Sequence, residues 1–150
     1  MNGAAPETKA KIDRNGAALT IELAPDLSAI GTMLDAIEAF LADNAVERSI
    51  GQHVMLAAEE LVANAVIHGH AAEVANAIVL NIYCKPEQIV TQITYPGIEF
   101  DPTKPVERPP DRYAQPGGFG LELVWNAVDE LTYRRRGNIN IVRLSHLISR

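Results

Sequence analysis

The stretch EELVANAVIHGH, residues 59–70, carries Glu60, Asn64 and His68 four residues apart in an otherwise apolar run. On a helix, at about 100° per residue, these side chains fall within about 80° of one another and His53 within about 20° of Glu60, so they form one polar stripe. Ile50, Val54, Met55, Leu56, Leu61, Val62, Ala65, Val66 and Ile67 take nearly every other direction, the composition of a buried helix. Burying an uncharged polar group without a partner costs about 2–7 kcal/mol, and a charge costs more, so something must offset it. Three arrangements do. Asn64 and His68 bond to neighbouring backbone while Glu60 reaches solvent at the helix edge. Glu60, His68 and His70 bind a metal, although no cysteine or further clustered ligand supports that. Or Asn64 gives its carbonyl oxygen, a hard donor, to Mg²⁺ in a nucleotide pocket where Glu60 stands as general base.

The elements that must hold this stripe are legible in order. AALTIEL, residues 17–23, alternates apolar and polar as a strand does. Pro25 and Asp26 precede Leu27, Ile30, Met33, Leu34, Ile37 and Leu41, the spacing of an amphipathic helix with an Asp or Ser cap. The polar stripe lies on a second helix, predicted from about Glu47 to Ile67 and closed by Gly69. NAIVLNIYC and EQIVTQITY, separated by KPE, read as an antiparallel hairpin. Residues 101–117 hold five of the nine prolines and no periodicity, which marks a long loop of the kind that forms lids. GFGLELVWNAVDEL is a third helix and LTYRRR-GN-INIVRLSHL a closing hairpin. The expected fold class is therefore α+β: a two-layer sandwich with a mostly antiparallel, mixed sheet and helices on one face.

A chain of 150 residues suits one domain, here residues 15–150 after a loose tail over 1–14. The tail lacks the apolar run of a signal peptide and nothing later offers about 18 consecutive apolar residues, so a cytoplasmic protein with no membrane contact is expected. Cys84, the single cysteine, cannot form an internal disulfide and is read as a small core residue. The net charge of -6 is uneven: residues 15–102 hold two basic and twelve acidic side chains, residues 103–150 eight and five. Most of the body would repel a nucleic-acid backbone, so no direct nucleic-acid binding is expected. The run Arg134–Arg136 is read as a solvated strand end beside a turn, with a docking patch for an acidic partner as the alternative.

Glu60-x-x-x-Asn64-x-x-x-His68-Gly69, then GIEFDP after a strand pair, then a proline-rich loop and GGFGLELV, resemble the N, G1 and G2 boxes of the GHKL, or Bergerat-fold, ATPases. Order, spacing and length are most similar to the anti-sigma factor serine/threonine kinases of that superfamily, over about residues 17–147. No single box is specific, but three in order with the loop between the second and third make a strong combination. The resemblance implies ATP and Mg²⁺ as ligands, with Asn64 the metal ligand and Glu60 the base that accepts the proton of a partner's hydroxyl. It places His68, Tyr95, Gly97, Gly118, Phe119, Gly120 and Leu121 around the nucleotide, and residues 101–117 over it as a lid. Gly97 matches the glycine that lets the chain approach the adenine, and Gly118 and Gly120 open a helix whose N–H groups suit phosphate.

One position departs from the pattern. The G1 box of these proteins begins Asp-x-Gly, the aspartate accepting a hydrogen bond from the adenine amino group; here the chain reads Tyr95-Pro96-Gly97. A hydrogen bond to a charged acceptor is worth about 1.5–3 kcal/mol, or roughly 10- to 150-fold in affinity. Two functions remain open. The retained Glu60 and Asn64 imply a kinase acting on an anti-anti-sigma protein of STAS type and releasing a sigma factor. Tyr95 and Pro96 imply a partner-binding module with weak or no nucleotide binding. The first helix is open to a dimer contact, making a homodimer, or to packing under the sheet.

Overall fold

Strands whose side chains alternate between a solvent face and a helix-covered face bury every second residue, and the chain does this in β2, the strand behind its first hairpin. The computed structural model describes residues 9–69, 77–105 and 120–148. Strands β1 (Ala10–Asn15) and β2 (Ala18–Leu23) form a hairpin; helix α1 (Ile30–Asp43) and helix α2 (Arg48–Gly69) follow. Then come β3 (Ile78–Cys84), β4 (Gln88–Pro96), helix α3 (Gly120–Ala127), β5 (Glu130–Arg136) and β6 (Ile139–Leu147). The six strands make one sheet in the order β1-β2-β3-β4-β6-β5. Every pairing is antiparallel, in line with the mostly antiparallel sheet expected and without its mixed component. β1–β2, β3–β4 and β5–β6 are hairpins; β3 returns antiparallel beside β2 after the two helices, and the last hairpin docks through β6 onto β4.

One sheet face carries Leu19, Ile21, Leu23, Ile78, Leu80, Ile82, Ile89 and Ile93, all fully buried against Met33, Ile37 and Phe40 of α1 and Val54, Ala57 and Ala58 of α2. Each large apolar side chain so enclosed stabilises the fold by about 1.5–3 kcal/mol. That burial places α1 under the sheet. Its start is fixed by Asp26, whose carboxylate accepts the Ser28 N–H at 2.9 Å ahead of a short 3₁₀ turn, Leu27–Ala29. Lys9 lies 3.0 Å from the same carboxylate.

β1 lies inside the stretch expected to be a tail. AKIDRN has only Ala10 and Ile12 to mark its inner face, and Ile12 is still 43% exposed because β1 is an edge strand. Its real signal is Gly16-Ala17, a two-residue turn after Asn15 with Gly16 at φ 60 that returns the chain into β2. Arg14 then ties the edge to α1, with its guanidinium 2.9 Å from Asp43 and 5.5 Å over the Phe40 ring. Two further readings change. Cys84 is half-buried at the end of β3, and within the Arg134–Arg136 run only the outer two side chains are solvated while Arg135 turns inward. The third helix stops at Ala127, since Glu130 already begins β5. Among the described residues no helix is long and apolar enough to cross a membrane.

Candidate functional site

α2 has one flank in the core and one in solvent, and the polar stripe runs along their boundary. His53, Gln52 and Glu59 are exposed, so the stripe is narrower than its sequence suggested and His53 lies outside it. Glu60 is half-buried. Its carboxyl is held above the usual range, first by loss of solvent and then by the charge of Glu59 beside it. Asn64, one turn on, is 5% exposed, and among the described residues its Nδ2 has no hydrogen-bond acceptor. A buried amide donor without an acceptor costs about 1–3 kcal/mol, which marks it as a group awaiting a partner or carrying strain.

α3 packs along α2 and brings Gly120, its first residue, onto Glu60. A Cβ at Gly120 would stand 2.0 Å from Oε2 and 2.9 Å from Cδ of Glu60, so only glycine leaves this carboxylate its place. Leu121 is 4% exposed and belongs to the core, anchoring the head of α3. Gly118, Phe119 and His70 lie outside the described residues, as does the part of the expected lid from 106 to 117. The beginning of that loop is fastened to α3, where Trp125 Nε1 donates to the Pro102 carbonyl at 2.8 Å.

The other wall is the end of β4. Tyr95 is 3% exposed, on the helix-covered face of the sheet. Its phenol is pushed up to about 12 by burial and then by Tyr133, against the opposing pull of Arg135. It is thus a neutral group where the motif pattern has a carboxylate. Gly97 follows at φ 134, a conformation that other residues avoid, so the backbone itself demands glycine there. Phe100 then lies flat on His68, with ring centroids 4.6 Å apart and planes 6° from parallel, joining the end of this loop to the end of α2.

Residues that the motif spacing did not single out hold this loop. Asn140, fully buried on β6 opposite Tyr95, accepts at Oδ1 from the Tyr133 hydroxyl, from Arg135 Nη1 at 3.0 Å and from the Phe100 N–H at 3.4 Å. Its Nδ2 donates to the Ile98 carbonyl at 3.0 Å, and Arg135 Nη2 donates to the Gly97 carbonyl at 2.8 Å. The available signal was an amide at an inward position of INIVRL. Elsewhere, a cleft of about 570 Å³ between α1 and α2, lined by Glu38, Arg48, Gln52 and Met55 among others, contains none of these residues. Its walls bring no buried, unpartnered polar group, and the site at Glu60 and Asn64 is preferred on that chemistry. Among the described residues no cluster of three or more His, Cys, Asp or Glu side chains could hold a metal.

Comparison with known proteins agrees with this fold. The family model of the histidine kinase-like ATPase domain matches residues 23–146, from the last residue of β2 into β6. Among solved structures, the RsbU and RsbW domains of Rv1364c from Mycobacterium tuberculosis superpose with a TM-score of 0.69 at 22% identity, over 89% of this chain and 33% of that one. The present chain therefore spans about a third of the length of that structure, and the likeness is one of fold. The Acinetobacter baumannii histidine kinase AdeS gives a TM-score of 0.46 at 14% identity, over 83% of this chain and 66% of that one. No curated protein matches the chain. With the family match covering most of the chain and both walls of the site, the chain belongs to the histidine kinase-like ATPase domain family.

Proposed function

We propose that this chain is an ATP- and Mg²⁺-dependent regulatory protein kinase of the anti-sigma type, acting on a serine or threonine of a STAS-type antagonist and binding a sigma factor. The observation that carries the reading is the pairing of a buried, unpartnered Asn64 amide with a half-buried Glu60 carboxylate one turn away, under a helix start where only glycine fits. The residues suit the ligands. Asn64 supplies a hard carbonyl oxygen for Mg²⁺, while its orphaned Nδ2 calls for an acceptor in the pocket. Gly120 leaves backbone N–H groups at the head of α3 uncovered by a side chain.

Bound ATP with its metal supplies the phosphoryl group and the positive charge that screens it. Glu60 does the rest of the work at its carboxylate, taking the proton from the incoming hydroxyl. The raised pKa makes it a better acceptor than a solvated glutamate and moves it toward working pH. Gly97 and the Phe100–His68 stack set the distance between the two walls. A cytoplasmic location, as sequence analysis anticipated, fits such a partnership.

Tyr95 favours a second reading, a partner-binding module in which nucleotide binding has faded. Its neutral, buried phenol replaces a charged acceptor, and Pro96 beside it offers no N–H. Calorimetric titration with ATP, with and without Mg²⁺ and with GTP for comparison, separates the two. Magnesium-dependent ATP binding at micromolar to low-millimolar strength supports the kinase. No heat at millimolar ATP rejects it in favour of the module. Within the kinase reading, Glu60→Gln is expected to keep nucleotide binding and lose phosphoryl transfer; an equally active variant removes Glu60 as the base.

A further inference from the structure

Arg135 belongs to a run of three arginines on an edge strand, yet it behaves unlike its neighbours. Arg134 and Arg136 are exposed; Arg135 points to the covered side of the sheet. There its planar guanidinium spans two acceptors of different origin, the Gly97 backbone carbonyl at 2.8 Å through Nη2 and the Asn140 side-chain oxygen at 3.0 Å through Nη1. A rigid fork of donors makes that span and a lysine ammonium does not. Asn140, held by Arg135 and the Tyr133 hydroxyl, carries the grip onward to the Ile98 carbonyl and the Phe100 N–H. Gly97 at φ 134 is open to glycine alone, and a glycine leaves the backbone free to turn elsewhere, so the course of this segment depends on the bonds that hold it. The far end of the gripped segment is Phe100, which meets His68 on α2.

We propose that Arg135, acting through Asn140, is a positioning residue for the cleft: it fixes residues 97–100 so that the β4 wall and the α2 wall stand at a set separation before any ligand arrives. The inference rests on the reading of the cleft as a nucleotide site for its functional consequence, but the holding of the loop stands on the hydrogen bonds alone. Arg135 touches neither Glu60 nor Asn64 in the described contacts, so its effect falls on ligand binding and leaves the chemical step untouched.

The test compares Arg135→Ala, Arg135→Lys and, as a control for lost charge, Arg134→Ala. In the full chain, amide hydrogen exchange at Phe100, whose N–H Asn140 accepts, and the KM for Mg–ATP are read together. Arg135→Ala is expected to speed exchange at that amide and raise KM by about tenfold or more, with kcat within about twofold, the size of one charge-assisted hydrogen bond lost. Arg135→Lys recovers part of the affinity because one of the two acceptors regains a donor, and Arg134→Ala changes neither readout. Exchange and KM in Arg135→Ala equal to those of Arg134→Ala overturn the proposal. Should the parent protein bind no nucleotide, the kinase reading fails by itself, and exchange decides on Arg135: faster exchange upholds the positioning role, unchanged exchange ends it. Asn140→Ala leaves three donors stranded in the interior and is a folding risk, which is why the half-exposed Arg135 is the site of choice.

Discussion

Asn64→Ala is expected to make the empty protein more stable and, in the same step, unable to respond to nucleotide. The amide is 5% exposed and its Nδ2 has no partner, so its removal relieves about 1–3 kcal/mol of uncompensated desolvation. Alanine is also the better helix former by about 0.6 kcal/mol at this interior position of α2. Against this stands the void left by the amide: roughly 40 Å³ at about 24 cal/mol per Å³ is close to 1 kcal/mol. The balance is about 0.6–2.6 kcal/mol in favour of the variant, which raises Tm by about 1–10 °C for a chain of this size. Differential scanning calorimetry without ligand measures it directly. Repeating the scan with Mg–ATP at about 100 times Kd should stabilise the parent by about 2.7 kcal/mol and leave the variant unmoved. A variant less stable than the parent by 1 kcal/mol or more, a size set by the same bookkeeping, would mean that the amide has a stabilising partner in solution and that the orphan-donor argument is wrong. A parent-like response to Mg–ATP would mean that Asn64 is not the metal ligand.

Gly120→Ala places a Cβ 2.0 Å from Glu60 Oε2, at the free end of a flexible side chain, so the carboxylate swings away and the fold survives. Phosphoryl transfer should fall by about tenfold or more while the thermal midpoint moves by a few degrees at most, and unchanged transfer would separate Glu60 from the chemistry. Tyr95→Asp should tighten ATP by restoring a charged acceptor, with affinity measured by calorimetry; weaker binding would show that Tyr95 recognises the ligand in its own way. Asp26 is lowered to about 2, chiefly by the Ser28 N–H and then by Lys9, so its contribution is present above the ordinary carboxylate range and is lost as pH falls through about 2. Asp26→Asn should therefore flatten the acid limb of the stability curve between about pH 4 and pH 2, as followed by circular dichroism, and a parallel curve would dismiss the cap's charge. Glu60 acts in the opposite sense. Its raised pKa means the folded state favours the protonated form, so stability is highest below the unfolded pKa and declines as pH rises through the folded one; Glu60→Gln should remove that decline from a series of melting curves.

Strong periodicity made α1, α2 and the β3–β4 hairpin legible, because each has enough apolar residues at one spacing to announce its buried face. Asp26 was legible as a cap for the same local reason. The catalytic-looking face of α2 could be read because a helix fixes its own geometry: residues four apart must be neighbours whatever surrounds them. Arg135 and Asn140 were not legible, since their importance comes from strand order. Nothing local to RRRGNIN says that β6 will lie between β4 and β5 and so bring Arg135 across to Gly97. β1 was hidden by composition, as an edge strand needs few apolar residues and its best clue was a two-residue turn. His53 shows the converse error: angle alone put it in the stripe, but it sits two turns from Glu60 with its side chain exposed.

The sheet order also sets the sequence in which the site can come into being during synthesis. β6 supplies nine residue pairs to β4 and seven to β5, yet it comes last of the six strands in chain order. Until residue 147 has emerged, β4 presents an open edge, β5 has no partner, and neither the Gly97 carbonyl nor the Phe100 N–H has the group that holds it in the finished protein. Helix α1 can collapse on β1 and β2, and α2 on α1, much earlier, since those contacts need only the first half of the chain. A growing chain therefore carries the α2 half of its cleft for some time before the opposite wall exists, and shape at the cleft arrives in one late event, when the final hairpin closes the sheet.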